Sequence, residues 1–209
     1  MIEAGTYTVW QLYRFYIRGK NPKNEDVVNY INSHVDAEFR DYAWMIAKHE
    51  SWDRYTDTYY NQFNPSDRLT ELPFKSGGSY YGWGIAQIDK GQSGSVTAEV
   101  YDWHRNIQSM NDKFNQALTS YNNMINFIQA AYPSVTLPNP ETVVIDISGF
   151  EVSAKAWSIM IFYNGIGGCY RQTINGEKRR YPIEYDPVNN TWIFHPNDKD
   201  YVRLVIGDM

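Results

Sequence analysis

Glu50 stands at the end of an apolar spacing that aims it at the protein interior. Phe39, Ala43, Ile46 and Glu50 are separated by four, three and four residues. At about 100° per residue, these side chains fall within roughly 60° of one another on a helix. A helix that buries the first three therefore points Glu50 inward or along the lip of a cleft. Burial disfavours the charged form of a carboxyl. A glutamic acid that keeps its proton near neutral pH is what a general acid requires. On spacing alone, a last-turn glutamate paired with a neighbouring cation fits equally well.

Further polar residues occur where glycines let the backbone approach a ligand. Gly82 and Gly84 flank Trp83, and Ile85, Ala86, Gln87, Ile88 and Asp89 follow. Tyr81, Trp83, Ile85 and Gln87 alternate as in a strand, and the Gln87 amide can both donate and accept. Tyr163-Asn164 closes an apolar run that dissolves into Gly165, Gly167 and Gly168. That pair could place a phenol and an amide at a cleft floor, or be a core tyrosine followed by an Asn-Gly helix cap. Tyr201, in Asp200-Tyr201-Val202-Arg203, reads as a core tyrosine of a last helix or as a partner of the acid. Other chemistries find less support. His49-Glu50 would open a zinc-protease motif, but Asp53 stands where the second histidine belongs, and His34, His49, His104 and His195 show no metal-ligand spacing. The sequence implies neither metal nor cofactor. Cys169 reads as a small buried apolar residue. Asn64-Pro65-Ser66 is barred from N-glycosylation by its proline.

The elements that must position these residues are mainly helical. Trp10, Tyr13 and Ile17 fit a short amphipathic helix within residues 6–18. Asn24 offers a cap for a second helix through Val27, Val28 and Ile31. A third spans about 36–52 and carries Glu50. The pattern is lost from 53 to 81, where turn signals dominate and a functional loop with short strands is expected. Thr97 can cap a long helix to about Ala131, with apolar positions from Val100 to Ile128 in steps of three and four. A helix over about 152–163 precedes the glycines. Residues 179–195 alternate around Asp186-Pro187-Val188-Asn189-Asn190 and read as a β-hairpin. Asn197 or Asp198 caps a short final helix with Tyr201, Val202, Leu204 and Val205.

The chain's 209 residues suffice for one domain with a sizeable core. Residues 1–35 form a helical extension in this reading, and 177–195 a hairpin insertion. A net charge of −5 leaves no basic footprint for nucleic acid. No apolar run is long enough to span a bilayer, and the N-terminus lacks a basic start and an apolar signal core. One cysteine permits no intramolecular disulfide. Aromatic residues reach 16%, suited to stacking on sugar rings as well as to filling a core.

Glu50-Ser51 followed by Gly84-Ile85-Ala86-Gln87 resembles the Glu-Ser and Gly-Leu-Met-Gln motifs of lytic transglycosylases and goose-type lysozymes. The run from Gly82 to Lys90 looks closest to the goose-type version. Phe162-Tyr163-Asn164-Gly165-Ile166-Gly167 resembles the same superfamily's Ala-Tyr-Asn-Ala-Gly-x-Gly signature, and Tyr201-Val202 its late Tyr-Val element. The motifs run in family order from about Phe39 to Val205. Ala86 and Gly165 depart from the pattern, and the 53–81 loop is long for it.

The resemblance implies a mainly α, α+β lysozyme-like fold with a small β element near the cleft. It implies cleavage of peptidoglycan glycan strands between N-acetylmuramic acid and N-acetylglucosamine, with Glu50 as acid. Ser51 would hydrogen-bond within the site. Gln87, Tyr163, Asn164 and Tyr201 would hold the muramyl sugar, and Tyr81, Trp83, Gly84 and Ile85 would line subsites. Asp89 matches a position credited with positioning water in goose-type enzymes; Asp53 and Asp57 are weaker candidates. Without such a base the same acid would form 1,6-anhydro products as a transglycosylase. Two further readings are chitin or chitosan cleavage and a non-catalytic glycan-binding or tail-structural module. Action at the bacterial wall without a signal fits delivery by phage, by a secretion system or within a larger protein. An effector would imply a protein inhibitor or immunity protein in the producing cell.

Overall fold

The computed structural model describes residues 21–51, 60, 82–89, 98–174 and 176–207. The expected helix at 6–18, Thr97 and nearly all of the 53–81 loop lie outside them. Helix α1 (Asn24–His34) buries Val27 and Ile31. Asn24 is its first residue and Lys23 the capping position, so the expected asparagine cap is not used. A 3₁₀ turn (Ala37–Phe39) leads into α2 (Arg40–Ser51), where Ala43, Ile46 and Ala47 are buried.

A hairpin of β1 (Gly82–Trp83) and β2 (Ile88–Asp89) follows. The long helix expected from Thr97 is two helices, α3 (Ala98–Tyr101) and α4 (Trp103–Ala131). Asp102 separates them. Its backbone is extended, and its carboxylate accepts the His104 amide at 2.9 Å. The aspartate thus offers the chain a helix start in place of continuation.

Beyond α4, β3 (Val144–Ile147) and β4 (Phe150–Ser153) form a second hairpin. Its last residue, Ser153, caps α5 (Ala154–Asn164) by accepting the Ala156 amide at 3.1 Å. The helix therefore starts at 154 rather than 152, because Val152 pairs with Ile145 in the hairpin. Strands β5 (Arg171–Ile174) and β6 (Glu177–Arg180) pair with each other, as do β7 (Ile183–Asp186) and β8 (Thr191–Phe194). The single hairpin expected over 177–195 is thus the second half of one ribbon and the whole of the next. Helix α6 (Tyr201–Gly207) closes the described chain.

The architecture is α+β: helices around a core, with four separate two-stranded antiparallel pairs among the described residues. Helix α4 buries Ile107, Met110, Phe114, Ala117, Tyr121, Met124 and Ile128 along one stripe. Helix α5 is buried on almost every side, as a central helix must be when its sequence is apolar all round. Ile183, Tyr185 and Trp192 of β7–β8 join the same core. The Trp157 and Trp192 indoles reach the carbonyls of His195 and Pro138 at 3.1 and 2.9 Å. The β7–β8 ribbon is therefore sewn into the body. Among the described residues no helix is long and apolar enough to cross a membrane.

Candidate active site

Glu50 lies in the last turn of α2, half-buried, with Phe39, Ala43 and Ile46 of its stripe fully buried beneath it. Among the described residues its hydrogen-bond partner is a phenol. Tyr201 is buried at the start of α6 and donates its hydroxyl to Glu50 Oε1 at 2.9 Å. The His49 ring packs edge-on against Tyr201, centroids 5.6 Å apart.

Asn197 sets where that phenol stands. Its Oδ1 accepts the Tyr201 amide at 2.9 Å, and its Nδ2 donates to Asn164 Oδ1 at 3.1 Å and to the Gly165 carbonyl at 3.2 Å. The end of α5 and the start of α6 are thus held by one buried amide. Gly165 has φ +118°, a conformation that releases the chain from α5 and that side-chain-bearing residues rarely adopt.

The 82–89 segment departs from the expected strand. Gly82 opposes Asp89 and Trp83 opposes Ile88, while Gly84 to Gln87 turn between them. Gly84 and Gln87 have φ of +70° and +46°. The alternation through Ile85 and Gln87 therefore carries no strand geometry. Ile85 is fully buried, a core residue beneath the turn. Gln87 folds onto its own segment, its amide nitrogen donating to the Gly84 carbonyl at 2.8 Å. Its Oε1 is buried without a partner. A Cβ on Gly82 would meet that oxygen at 2.6 Å, so the folded-back glutamine accounts for glycine there.

Asn106 of α4 grips this turn. It is fully buried, accepts the Ala86 amide at 2.7 Å, and donates to the carbonyls of Trp83 and Glu99 at 2.8 and 2.9 Å. Tyr163, at the end of α5, adds a second tie by donating to the Ala86 carbonyl at 3.1 Å. Its hydroxyl is thus occupied by the turn's backbone. Its ring packs against Phe114, which stacks in turn on Phe39.

Lys113 joins the groups together. Its ammonium lies 4.3 Å from the centre of the Tyr163 ring. Burial lowers its pKa, while the negative charges of Glu50 and then Asp89 act to raise it. Both carboxylates therefore lie within its electrostatic reach, with Asp89 exposed at the end of β2. The Tyr163 and Tyr201 phenols are pushed up, first by burial and then by the Glu50 charge, so both remain protonated donors at neutral pH.

Glu50, Gln87, Tyr163, Asn164 and Tyr201, together with Trp83, Gly84 and Ile85, thus belong to elements tied around one junction. Ser51 departs from expectation: buried, it returns its hydroxyl to the Ala47 carbonyl of its own helix at 3.0 Å. Tyr81, Asp53 and Asp57 lie outside the described residues. Cys169 is buried, and burial pushes its thiol up to about 11, consistent with a packing residue. Asn106 and Lys113 escaped the motif reading. The signal for both was present, because 106, 110, 113 and 117 are steps of four, three and four. Two polar residues fall on the apolar stripe of α4.

Comparison with protein-family models, with curated proteins and with solved structures finds no match for this chain.

Proposed function

We propose that this chain is a peptidoglycan-cleaving muramidase on a lysozyme-like fold, acting on the β-1,4 bond between N-acetylmuramic acid and N-acetylglucosamine. The observation that carries the reading is the 2.9 Å hydrogen bond from Tyr201 to Glu50. It joins the first and last of the residues singled out by resemblance to one family.

Glu50 protonates the glycosidic oxygen as positive charge develops on the departing sugar. Tyr201 fixes one carboxyl oxygen and so orients the other. Asp89, on the hairpin rather than on α2, positions the attacking water. Tyr163 and Asn106 act through the turn they hold, with Trp83 and Asn164 on the substrate side. The action belongs at the bacterial cell wall.

The test is turbidity loss of purified walls, with mass spectrometry of the released muropeptides. The parent should clear walls and release products with reducing ends, and Glu50→Gln should lower the rate by about 10²-fold or more. Equal inertness of both proteins, with both still pelleting with walls, would make the chain a binding module. Anhydro sugars as the sole products would make it a transglycosylase and remove Asp89 from the mechanism.

A further inference from the structure

The β5–β6 ribbon carries a charge arrangement that the fold does not use. Arg171 and Arg180 stand directly opposite each other across the strands, so their side chains leave the same face. Lys178, opposite Thr173, shares that face. Like charges placed directly opposite destabilise a ribbon. Among the described residues, none of these three cations forms an ion pair. Glu177, the ribbon's only acid, is taken by Arg179 at 2.6 Å. Four cations against one acid in ten residues stand out in a chain of net charge −5.

A pocket of about 430 Å³ opens beside this ribbon. Arg179, Arg180 and Tyr181 line one side; Met124, Phe162 and Ile166 supply an apolar side. Phe162 and Ile166 bracket Tyr163 and Asn164, so the pocket and the Glu50 junction share the end of α5. An occupant of the pocket must complement Arg180, since Arg179 is already paired with Glu177, and also offer small apolar groups. N-acetylglucosamine carries no charge, nor does N-acetylmuramic acid whose lactyl carboxyl is tied up in the amide to a peptide. Neither meets the first requirement, whereas acidic peptides meet both. Guanidinium groups bind carboxylates through paired hydrogen bonds.

We propose that the β5–β6 ribbon and this pocket bind the carboxylates of short peptide branches on the glycan strand. The inference rests on the glycan reading above and names which part of the polymer is recognised away from the scissile bond.

The test uses the Glu50→Gln chain, so that binding is read without cleavage. Its sedimentation is compared with that of a triple variant that also carries Arg171→Ser and Arg180→Ser. Removing a like-charge pair should leave the melting temperature unchanged or raised, which verifies folding. Three substrates are offered: intact walls, walls freed of phosphate polymers by hydrofluoric acid, and the latter with their peptide carboxyls converted to amides by carbodiimide and ammonia. Glu50→Gln should bind the first two alike and the amidated walls about tenfold more weakly. The triple variant should bind all three at that weaker level, with less dependence on salt. Parent-like binding of intact walls by the triple variant would overturn the proposal. So would loss of Glu50→Gln binding on phosphate removal, which would identify a phosphate polymer as the occupant. Binding to none of the three would instead defeat the glycan reading itself.

Discussion

The junction of α2 with α6 and the turn between β1 and β2 use their polar side chains in opposite ways. At the junction, Tyr201 reaches across the fold to the carboxyl of Glu50, 151 residues away. In the turn, Gln87 bends back to the Gly84 carbonyl, and distant residues supply the grip. A side chain reserved by a partner from another element remains aimed. One absorbed by its own backbone shapes the loop instead. Glu50 is thus placed as a reacting group, whereas Gln87, Tyr163 and Asn106 set the geometry of the surface beside it.

The strongest way to break this contrast is to remove the grip on the turn. Asn106→Ala should leave the Ala86 amide and the Trp83 and Glu99 carbonyls without their side-chain partner. At about 1–3 kcal/mol for a buried group left unsatisfied, stability should fall by at least about 3 kcal/mol. Chemical denaturation gives that loss directly, and wall clearing should fall with it. An unchanged midpoint would show that the clamp is dispensable.

Tyr201→Phe attacks the other region and separates aim from fold. Its hydroxyl donates to the Glu50 carboxyl, a bond worth about 0.5–1.5 kcal/mol when the acid carries its proton. Wall clearing should fall by up to about tenfold, while Phe keeps the buried ring and the core packing. Rates equal to the parent would show that the phenol does not orient Glu50.

A smaller effect is expected from alkaline titration of the buried phenols. Burial pushes Tyr121 up to about 12 and holds Tyr163 and Tyr201 higher than an ordinary phenol. A raised folded-state pKa gives stability that is complete below the unfolded value of about 10 and is lost as pH climbs towards the folded value. Melting temperature should therefore decline between about pH 10 and 12, alongside phenolate absorbance. Full phenolate titration near pH 10 with the fold intact would contradict the burial.

The smallest effect sharpens the comparison most. Gln87→Ala removes one hydrogen bond within the turn, about 0.5–1.5 kcal/mol. For a chain of this size, that is a few degrees in melting temperature. Binding of a soluble glycan oligomer to the Glu50→Gln background should change less than twofold. A tenfold loss there would return Gln87 to direct sugar contact.

Glu50 and its stripe were legible because a buried helix face repeats every three or four residues, so the direction of the carboxyl follows from Phe39, Ala43 and Ile46. The same periodicity yielded most of α1, α2, α4 and α5, and the glycines after Tyr163 marked where α5 must stop. Only the tertiary structure decided the rest. The α3–α4 break depends on Asp102 taking a backbone amide. The 84–87 turn defeats an alternation that looks like a strand. Asn106, Tyr163 and Tyr201 find their partners 20, 77 and 151 residues away. Local pattern reports which face of an element is apolar; it carries no record of which distant backbone group a buried polar side chain must satisfy. That pairing is imposed by packing, because a polar group buried without a partner costs more than the bond it makes contributes.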